Sequence, residues 1–382
     1  MSFDIKTKLR DGLQADHPDV GWDFSRNQDL IELQFGEMQE DISKKIIKAI
    51  KNASQKVHIY TDLLQEFTRT ISRHKNIPEE NLVIVNATDK AFRLLAETFI
   101  NPGDECLMFP PTYPAIKPSI NIFQGNIIEL GMQSDFKLPA TEEIVKHVSK
   151  NTKLIYIANP STPTGNLVTT RQQIIELLQL NVIVIVDECY FEVAKVSMFD
   201  LVAEFPNLVI IRSLSKTYGL AGLRMGYMIA HPELASILRF IEYSLEPVPS
   251  VTSLAGAIAA IKDEKHLNRN LKRHKKAKKK LIKGFRKLGL IAYDSDTTSL
   301  LVDTQHINVN ADEFVNRLRE LGVVVKTCHI YGNAQPGWVN FGIPKLEQTS
   351  LVIQKVKTLI DNAMILTENG LLKAKTTSNS GF

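Results

Sequence analysis

The strongest constraint on the fold is an alternation of short apolar runs with longer amphipathic stretches, which begins near residue 82. The runs are rich in β-branched residues, are apolar at successive positions and are bounded by turn-forming residues. Such runs suit parallel strands that are buried on both faces, with helices as the crossovers between them. The runs are LVIV at 82–85, ECLMF at 105–109, LIYIA at 154–158, VIVIV at 182–186 and LVIIRS at 208–213.

The segments between these runs have helical periodicity. DKAFRLLAETFI at 89–100 and TRQQIIELLQL at 170–180 are amphipathic, and the second opens on a threonine suited to cap a helix. Strands that alternate with helices along the chain are typical of an α/β domain with a mainly parallel sheet. We therefore predict such a domain over about residues 60–250.

The pattern changes after residue 262. A basic stretch at 263–287 repeats apolar residues at multiples of four, which predicts one long helix with an apolar stripe and a solvated basic face. Strand-like and helix-like segments follow it, as in a smaller α+β domain. We expect an N-terminal segment over 1–55 that packs with the small domain, a large domain over 56–262, and over 263–382 the long helix, the small domain and a frayed tail.

Composition excludes several classes of protein. Of the 382 residues, 44% are apolar and 23% are charged, close to globular averages, so a disordered or fibrous chain is excluded. The net charge of +4 is too small over this length to predict a nucleic-acid or membrane partner. Cys106, Cys189 and Cys328 are far apart and unpatterned, so we expect neither disulfides nor zinc, and a reducing cytoplasm.

The segment SLSKTYGLAGLRMGY at 213–227 carries the clearest chemical signal. Its lysine, Lys216, comes just past a strand end, from which it can reach a cleft at the carboxyl edge of a parallel sheet. Ser213, Ser215 and Arg224 supply two hydroxyls and a planar set of N–H donors, which are groups that bind phosphate. A lone lysine is more often a solvated surface residue, but these neighbours indicate a binding site.

Two adjacent carboxylates follow a buried run. Asp187 and Glu188 come after five consecutive apolar residues in VIVIVDECYFE at 182–192, so one of them should lie at a buried strand tip. An ionised carboxylate there needs a cationic partner, or its pKa rises until it is neutral. The partner can be a structural cation, a metal ion or a protonated pyridine nitrogen. Magnesium would require further carboxylates near other strand ends, and none are found, so we expect no metal.

Three shorter segments add candidate contacts, although each signal is weak alone. VNATDK at 85–90 joins a strand to a helix start, where backbone N–H groups bind phosphate well. FPPTYP at 109–114 places the Tyr113 ring on a stiff loop where it can stack on a planar ligand. IANPSTPTGN at 157–166 runs from a strand into a turn punctuated by proline and glycine.

Taken together and in this order, the segments resemble the fold-type I pyridoxal-phosphate enzymes, in particular the class I and II aminotransferases and, among them, the histidinol-phosphate aminotransferases. The resemblance covers nearly the whole chain after about residue 30, and SLSKTYGLAGLRMGY is its most specific piece. It implies an α/β large domain with a mainly parallel, seven-stranded type of sheet, and a smaller α+β domain. It also implies an enzyme that uses pyridoxal 5'-phosphate to exchange an amino group between a small-molecule donor and acceptor. The alternative is a decarboxylase, lyase or cyclase of the same fold.

The resemblance also implies roles for individual residues. Lys216 would be the Schiff-base lysine, Asp187 would pair with the pyridine nitrogen, and Tyr190 would donate to the phenolic oxygen. The Tyr113 ring would stack on the cofactor. The phosphate would be bound by backbone at Thr88 and Asp89, by the side chains of Ser213, Ser215 and Arg224, and by Tyr60 of a second subunit. Tyr60 lies in HIYTDLLQEF, which matches a family segment that crosses a dimer interface, so a homodimer is implied.

The sequence departs from the family pattern in three places. Thr162 stands where an asparagine usually donates to the phenolic oxygen, so we expect altered tuning and not loss of the cofactor. LQFGEMQED at 33–41 lacks the Asn-Glu-Asn-Pro-type segment of histidinol-phosphate aminotransferases. Lys326 and Trp338 stand at the positions of anion-binding arginines, unless the alignment is shifted or another arginine substitutes. Lysine lacks the bidentate geometry and tryptophan lacks charge, so we expect both in the substrate region and weak activity with simple dicarboxylates.

Overall fold

The computed structural model describes residues 27, 29–245, 248–307 and 309–362. The helices are α1 Lys44–Ala53, α2 Leu63–Lys75, α3 Ala87–Phe99, α4 Ile116–Ile122, α5 Thr141–Lys146, α6 Arg171–Leu178, α7 Phe191–Ala194, α8 Pro232–Leu245, α9 Val251–Lys262, α10 Glu264–Lys287, α11 Ala311–Glu320 and α12 349–362. The strands are β1 Ile31–Glu32, β2 Leu82–Val85, β3 Glu105–Met108, β4 Asn126–Glu129, β5 Thr152–Ala158, β6 Ile183–Asp187, β7 Leu208–Ser213, β8 Gly226–Ala230, β9 Ile291–Ala292, β10 Ser299–Asp303, β11 Val323–Val324, β12 Lys326–Thr327 and β13 Trp338–Gly342.

The larger sheet has seven strands in the order β2-β8-β7-β6-β5-β3-β4. Its neighbours are parallel except for β8, which runs antiparallel to both β2 and β7. The five apolar runs are all strands of this sheet, as the sequence predicts. Two strands were not predicted from the sequence. Strand β4 lies at the edge of the sheet with its ends exposed, and strand β8 directly follows the glycine-rich segment.

Helices cover both faces of this sheet, which explains why its central strands are apolar at successive positions. In β6, Val184 and Val186 point into one apolar cluster, whereas Ile185 points into the cluster on the other face. All three side chains are fully buried. Each such side chain contributes about 1.5–3 kcal/mol through burial, so the strand ends rest on a rigid core.

The smaller sheet has four antiparallel strands in the order β12-β13-β10-β9. A third apolar cluster lies between this sheet and the helices α10, α11 and α12, with Phe285, Phe314 and Phe341 fully buried. The predicted long helix corresponds to α10, whose buried residues follow the predicted apolar stripe. No helix within the described ranges has the length and apolar character needed to cross a membrane.

The N-terminal segment contacts both units. Residue Ile31 in β1 pairs with Val323 in β11, and Leu33 belongs to the small-domain core. Farther along, Ile46 in α1 joins the core of the larger unit. This path carries the backbone of residues 33–38 across the cleft between the two sheets. The boundaries near residues 55 and 262 stay a prediction.

Candidate active site

The carboxyl ends of β6 and β7 bring the central candidates to one edge of the larger sheet. Asp187 is the last residue of β6 and Ser213 is the last residue of β7. Three residues beyond β7, the Lys216 Nζ donates to the backbone carbonyl of Phe35 at 2.7 Å. Burial lowers the pKa of Lys216, which favours a neutral amine.

The two adjacent carboxylates have opposite surroundings, and Glu188 is the one held by a protein cation. Its Oε2 atom accepts from the Arg212 guanidinium at 2.9 and 3.1 Å, and its Oε1 accepts from the Met198 N–H at 2.7 Å. The Arg212 guanidinium also stacks over the Phe191 ring at 3.7 Å. Both members of this ion pair are buried. The pair therefore fixes the ends of β6 and β7 relative to each other.

Asp187 is equally buried but accepts only neutral donors. The Tyr156 hydroxyl donates to its Oδ2 at 3.2 Å, and the Cys189 N–H donates to its Oδ1 at 2.9 Å. Within the described residues no lysine, arginine or histidine forms an ion pair with this carboxylate. Burial raises the pKa of Asp187, so a cation other than those of the described residues is needed to stabilise its ionised form.

A group of hydroxyl and cationic side chains surrounds the N-terminus of α3. The Ser213 Oγ accepts from the Ser215 N–H at 3.1 Å, whereas the Ser215 Oγ is buried and has no hydrogen-bond partner. Thr88 and Asp89 lie in the first turn of α3, where backbone N–H groups have no helical acceptor. Arg224 reaches this turn and forms an ion pair with Asp89 at 2.7 Å. These groups form a concentrated set of donors.

Backbone conformation explains how this turn comes so close to β8. Ala87 has a backbone φ of +67°, a value that residues other than glycine rarely adopt. The turn at the start of α3 is therefore strained. Gly226 lies against it, and a Cβ at Gly226 would meet the Arg212 carbonyl at 3.0 Å and Ala87 backbone atoms at 3.4–3.5 Å. Glycine at position 226 therefore permits this close approach.

Tyr190 and Tyr113 lie near the strand end that carries Asp187 and the first turn of α3. The Thr162 hydroxyl donates to the Tyr190 hydroxyl at 3.1 Å, and burial raises the pKa of Tyr190. The Tyr113 hydroxyl donates to Asp89 at 3.4 Å, and its ring packs near Phe92 with ring centres 6.5 Å apart. The structure thus brings Thr162, Tyr190 and Tyr113 close to the Asp187 end of the sheet.

Lys326 lies on the opposite side of the cleft, on β12 of the smaller sheet. Its Nζ is 5.9 Å from the centre of the Phe35 ring and 5.3 Å from the centre of the Tyr331 ring. Burial and, to a smaller extent, the charge of Lys216 lower the pKa of Lys326 to about 8. Lys326 is therefore a cation inside an aromatic enclosure next to Lys216.

Trp338, unlike Lys326, lies in an apolar environment. The Trp338 indole is 7% exposed and packs edge-to-face against Phe136 with ring centres 5.5 Å apart. It shares an apolar cluster with Leu301 and Tyr113, so it forms part of the wall between the two units.

Tyr60 is 93% exposed and is the one candidate that the structure does not bring to the cleft of its own chain.

Comparison with known proteins assigns the family. The sequence profile of the family described as aminotransferase class I and II matches residues 28–352. The chain belongs to the class I and II aminotransferases. Histidinol-phosphate aminotransferase 2 of Carboxydothermus hydrogenoformans is 30% identical over 336 residues, which cover 84% of this chain and 88% of the relative. Histidinol-phosphate aminotransferase of Moorella thermoacetica is 30% identical over 321 residues, covering 80% and 79%.

A solved structure agrees with this family. Histidinol-phosphate aminotransferase from Sinorhizobium meliloti in complex with pyridoxal-5'-phosphate has a TM-score of 0.78 to this chain, covering 87% of this chain and 91% of that one. At 20% identity this similarity shows the shared fold. As a class I and II aminotransferase, the chain uses pyridoxal 5'-phosphate to exchange an amino group between small-molecule substrates. The predicted fold, enzyme class and cofactor are confirmed.

The residues of this aminotransferase fit the cofactor. Asp187 is a buried carboxylate that pairs with no cation in the described part of the chain, so it suits a protonated pyridine nitrogen. A buried hydroxyl without a partner, on Ser215, matches a phosphate oxygen. Lys216 has a pKa lowered by burial, as a nucleophilic amine requires. Sequence reasoning missed three contributors, namely the Phe35 carbonyl, the Arg212 guanidinium and Tyr331.

Proposed function

We propose that the cofactor side of the cleft is formed by the residues that the sequence motifs single out, and that the amino donor carries one anionic group far from its reacting amine, as histidinol phosphate does. The observation that carries the first part is the contrast between two adjacent carboxylates. Glu188 forms an ion pair with Arg212, whereas Asp187 forms none with any described residue. The names of the two 30%-identical relatives support the second part.

Bound pyridoxal phosphate supplies an electron sink for the charge left on the substrate Cα. Asp187 would hold the proton on the pyridine nitrogen, because a buried carboxylate is most stable beside a cation. Lys216 would hold the cofactor and then take and return the Cα proton through its Nζ, whose pKa is lowered by burial. The Phe35 carbonyl, at 2.7 Å, would orient that Nζ.

The remaining cofactor contacts divide between the phosphate and the ring. Backbone N–H groups at Thr88 and Asp89, the hydroxyls of Ser213 and Ser215, and Arg224 would bind the phosphate. Tyr113 would stack on the ring, and Tyr190 would donate to the phenolic oxygen. The hydrogen bond from Thr162 to Tyr190 would bring a hydroxyl to the position usually held by an asparagine.

On the substrate side, Lys326 would face the anionic group of the donor. The Phe35 and Tyr331 rings near its ammonium lower the local polarity, which strengthens the attraction to an anion. Trp338 would supply an apolar wall and no charge. A single lysine in place of two arginines gives little support for a donor with two carboxylates.

We also propose that the active form is a homodimer in a reducing cytoplasm. The exposed side chains of Val57, Ile59 and Tyr60 support an interface at this segment, at 66%, 56% and 93% exposure. Mixing Lys216→Ala subunits with Tyr60→Phe subunits tests whether sites are shared. Hybrid dimers would then contain one fully native site, so activity should rise above that of either variant alone. If the mixture has only the averaged activity, Tyr60 does not act across an interface.

A half-reaction assay tests the function directly. Histidinol phosphate added to the holoenzyme should convert the bound cofactor to its amine form, with release of a carbonyl product and no ammonia. Aspartate and glutamate should react more slowly. Release of carbon dioxide from aspartate or glutamate, or of ammonia from any donor, in place of the carbonyl product would support the decarboxylase or lyase alternative instead.

A further inference from the structure

Asn340 is a buried polar residue to which no sequence motif points. It lies in the middle of β13 and is 2% exposed. Its Nδ2 donates to the Tyr331 hydroxyl at 3.0 Å, whereas its Oδ1 is buried and has no hydrogen-bond partner. A buried amide atom without a partner is costly, so such atoms are normally satisfied by protein, water or a ligand. Asn340 therefore has binding capacity that the described chain does not use.

The position of Asn340 connects this capacity to the substrate side of the cleft. Asn340 is directly opposite Lys326 in the antiparallel ladder of β12 and β13, so the two side chains share one face of the small sheet. The Lys326 ammonium lies between the rings of Tyr331 and Phe35, and the Phe35 carbonyl contacts the Lys216 Nζ. A continuous series of contacts thus runs from the reacting lysine to Asn340.

The chemistry of the amide determines what it can bind. Rotation about the last side-chain bond exchanges the oxygen and the NH₂ group, and a tyrosine hydroxyl both donates and accepts. The Tyr331 hydroxyl can therefore donate to the Oδ1 of Asn340, which frees the NH₂ group. Burial raises the pKa of Tyr331, so this hydroxyl keeps its proton. Asn340 can then donate to an oxyanion beside the Lys326 ammonium.

We propose that Asn340 is a specificity-determining residue that donates a hydrogen bond to the distal oxyanion of the amino donor, next to Lys326. This inference rests on the proposed function of the cleft. Asn340 is the one polar residue in the WVNFG sequence of β13, and its neighbour Trp338 packs against Phe136. Asn340 thus supplies a directional donor where the strand is otherwise apolar.

The test compares two donors that differ only in the anion. Asn340→Leu keeps nearly the same side-chain size and removes the amide. In the holoenzyme it should lower kcat/KM for histidinol phosphate about 10- to 100-fold, as expected for a hydrogen bond to a charged group. The value for histidinol, which lacks the phosphate, should change much less. A larger loss with glutamate than with histidinol phosphate would identify the oxyanion as a carboxylate.

A binding measurement makes the test independent of turnover. Inorganic phosphate should bind the wild-type holoenzyme, and Asn340→Leu should weaken that binding by the same factor as kcat/KM. Asn340→Ser, a smaller change, is measured in parallel in case the leucine variant does not fold. The matched control is Asn81→Leu, because the buried Asn81 amide lies in the large domain, where it donates to the Ala230 carbonyl at 2.7 Å. The control should leave the preference between donors unchanged.

The outcomes separate this inference from the proposed function. If wild type converts no donor but Asn340→Leu weakens phosphate binding, the proposed function fails and the oxyanion contact stands. If wild type uses donors normally, and the Asn340 variants change histidinol phosphate and histidinol equally and leave phosphate binding intact, the inference is overturned. Absence of phosphate binding to wild type, with no donor preference for an anion, would also overturn it.

Discussion

The two sides of the cleft are built in different ways. On the cofactor side, Asp187 and Ser213 end neighbouring strands of a sheet that is buried on both faces, and Lys216 follows within three residues. On the substrate side, Phe35 comes from the N-terminal segment, and Lys326 lies on a strand of only two residues. The first side is held by a rigid core, and the second is assembled from segments distant in sequence.

This difference separates the chemistry from the choice of donor. In the proposed function the fixed strand ends would hold the groups that every reaction of the cofactor needs, whereas the assembled side would contact only the variable part of the substrate. Substitutions on the cofactor side should therefore reduce the reaction of all donors by the same factor. Substitutions on the substrate side should change the ratio between donors.

The largest effect is expected for Lys216→Ala, which removes the amine that would hold the cofactor and move the Cα proton. Turnover should fall at least ~10⁴-fold with every donor, the upper range for a positioned proton-transfer group. Steady-state rates with histidinol phosphate and histidinol measure this loss, and circular dichroism checks the fold. The exposed Lys150→Ala serves as the control and should behave as wild type. Residual turnover within tenfold of wild type would contradict the role of Lys216.

Asp187→Asn should have the next largest effect. A neutral amide cannot hold a proton on the pyridine nitrogen, so kcat should fall roughly 10²- to 10⁴-fold and equally for both donors. The fold should persist, because the hydrogen bonds that Asp187 accepts from Tyr156 and Cys189 come from neutral donors. Asp200→Asn, at an exposed ion pair with Arg171, is the control. If Asp187→Asn lowers kcat by different factors for the two donors, the proposed separation between a cofactor side and a substrate side is wrong.

A smaller and pH-dependent effect is expected from Lys326. Its pKa of about 8 means that it is charged below pH 8 and neutral above it. For histidinol phosphate, KM should therefore rise as the pH increases through 8, while kcat changes little. Lys326→Met should raise KM about 10- to 100-fold at pH 7 and abolish this pH dependence. The same profile for histidinol in wild type would show that Lys326 does not contact the anion.

The two sides of the cleft also differ in how readily their residues can be found from the sequence. The sequence could single out the cofactor-side candidates because Ser213, Ser215, Lys216 and Arg224 stand in one short segment with a distinctive combination of residue types. It could not single out Phe35, since Phe35 contacts Lys216 through a backbone carbonyl that every residue has.

Ion pairs between residues distant in sequence could not be predicted from the sequence either. The Arg212 guanidinium bonds Glu188, 24 positions earlier, and the sequence alone does not show which of two adjacent carboxylates receives it. Likewise β4, an exposed edge strand, has no continuous apolar run to mark it. These features depend on tertiary contacts and not on local pattern.

The smallest effect is expected for Trp338→Phe, which tests whether the indole is a wall or a specific contact. Loss of part of the edge-to-face contact with Phe136 should lower the free energy of unfolding by about 0.5–1.5 kcal/mol. Urea denaturation measures that change. The ratio of kcat/KM between histidinol phosphate and histidinol should stay within about twofold, well below the effect of a lost charged hydrogen bond. A larger change in this ratio would place the indole among the specificity residues.

Covalent mapping tests the central claim most directly. The holoenzyme is reduced with borohydride, digested, and its peptides are analysed by mass spectrometry. We expect a single pyridoxyl-phosphate adduct, on Lys216 in the segment 213–227, and no adduct in Lys216→Ala. An adduct on Lys326 or on any other lysine of the native enzyme, with Lys216 unmodified, would contradict the assignment of the cofactor side.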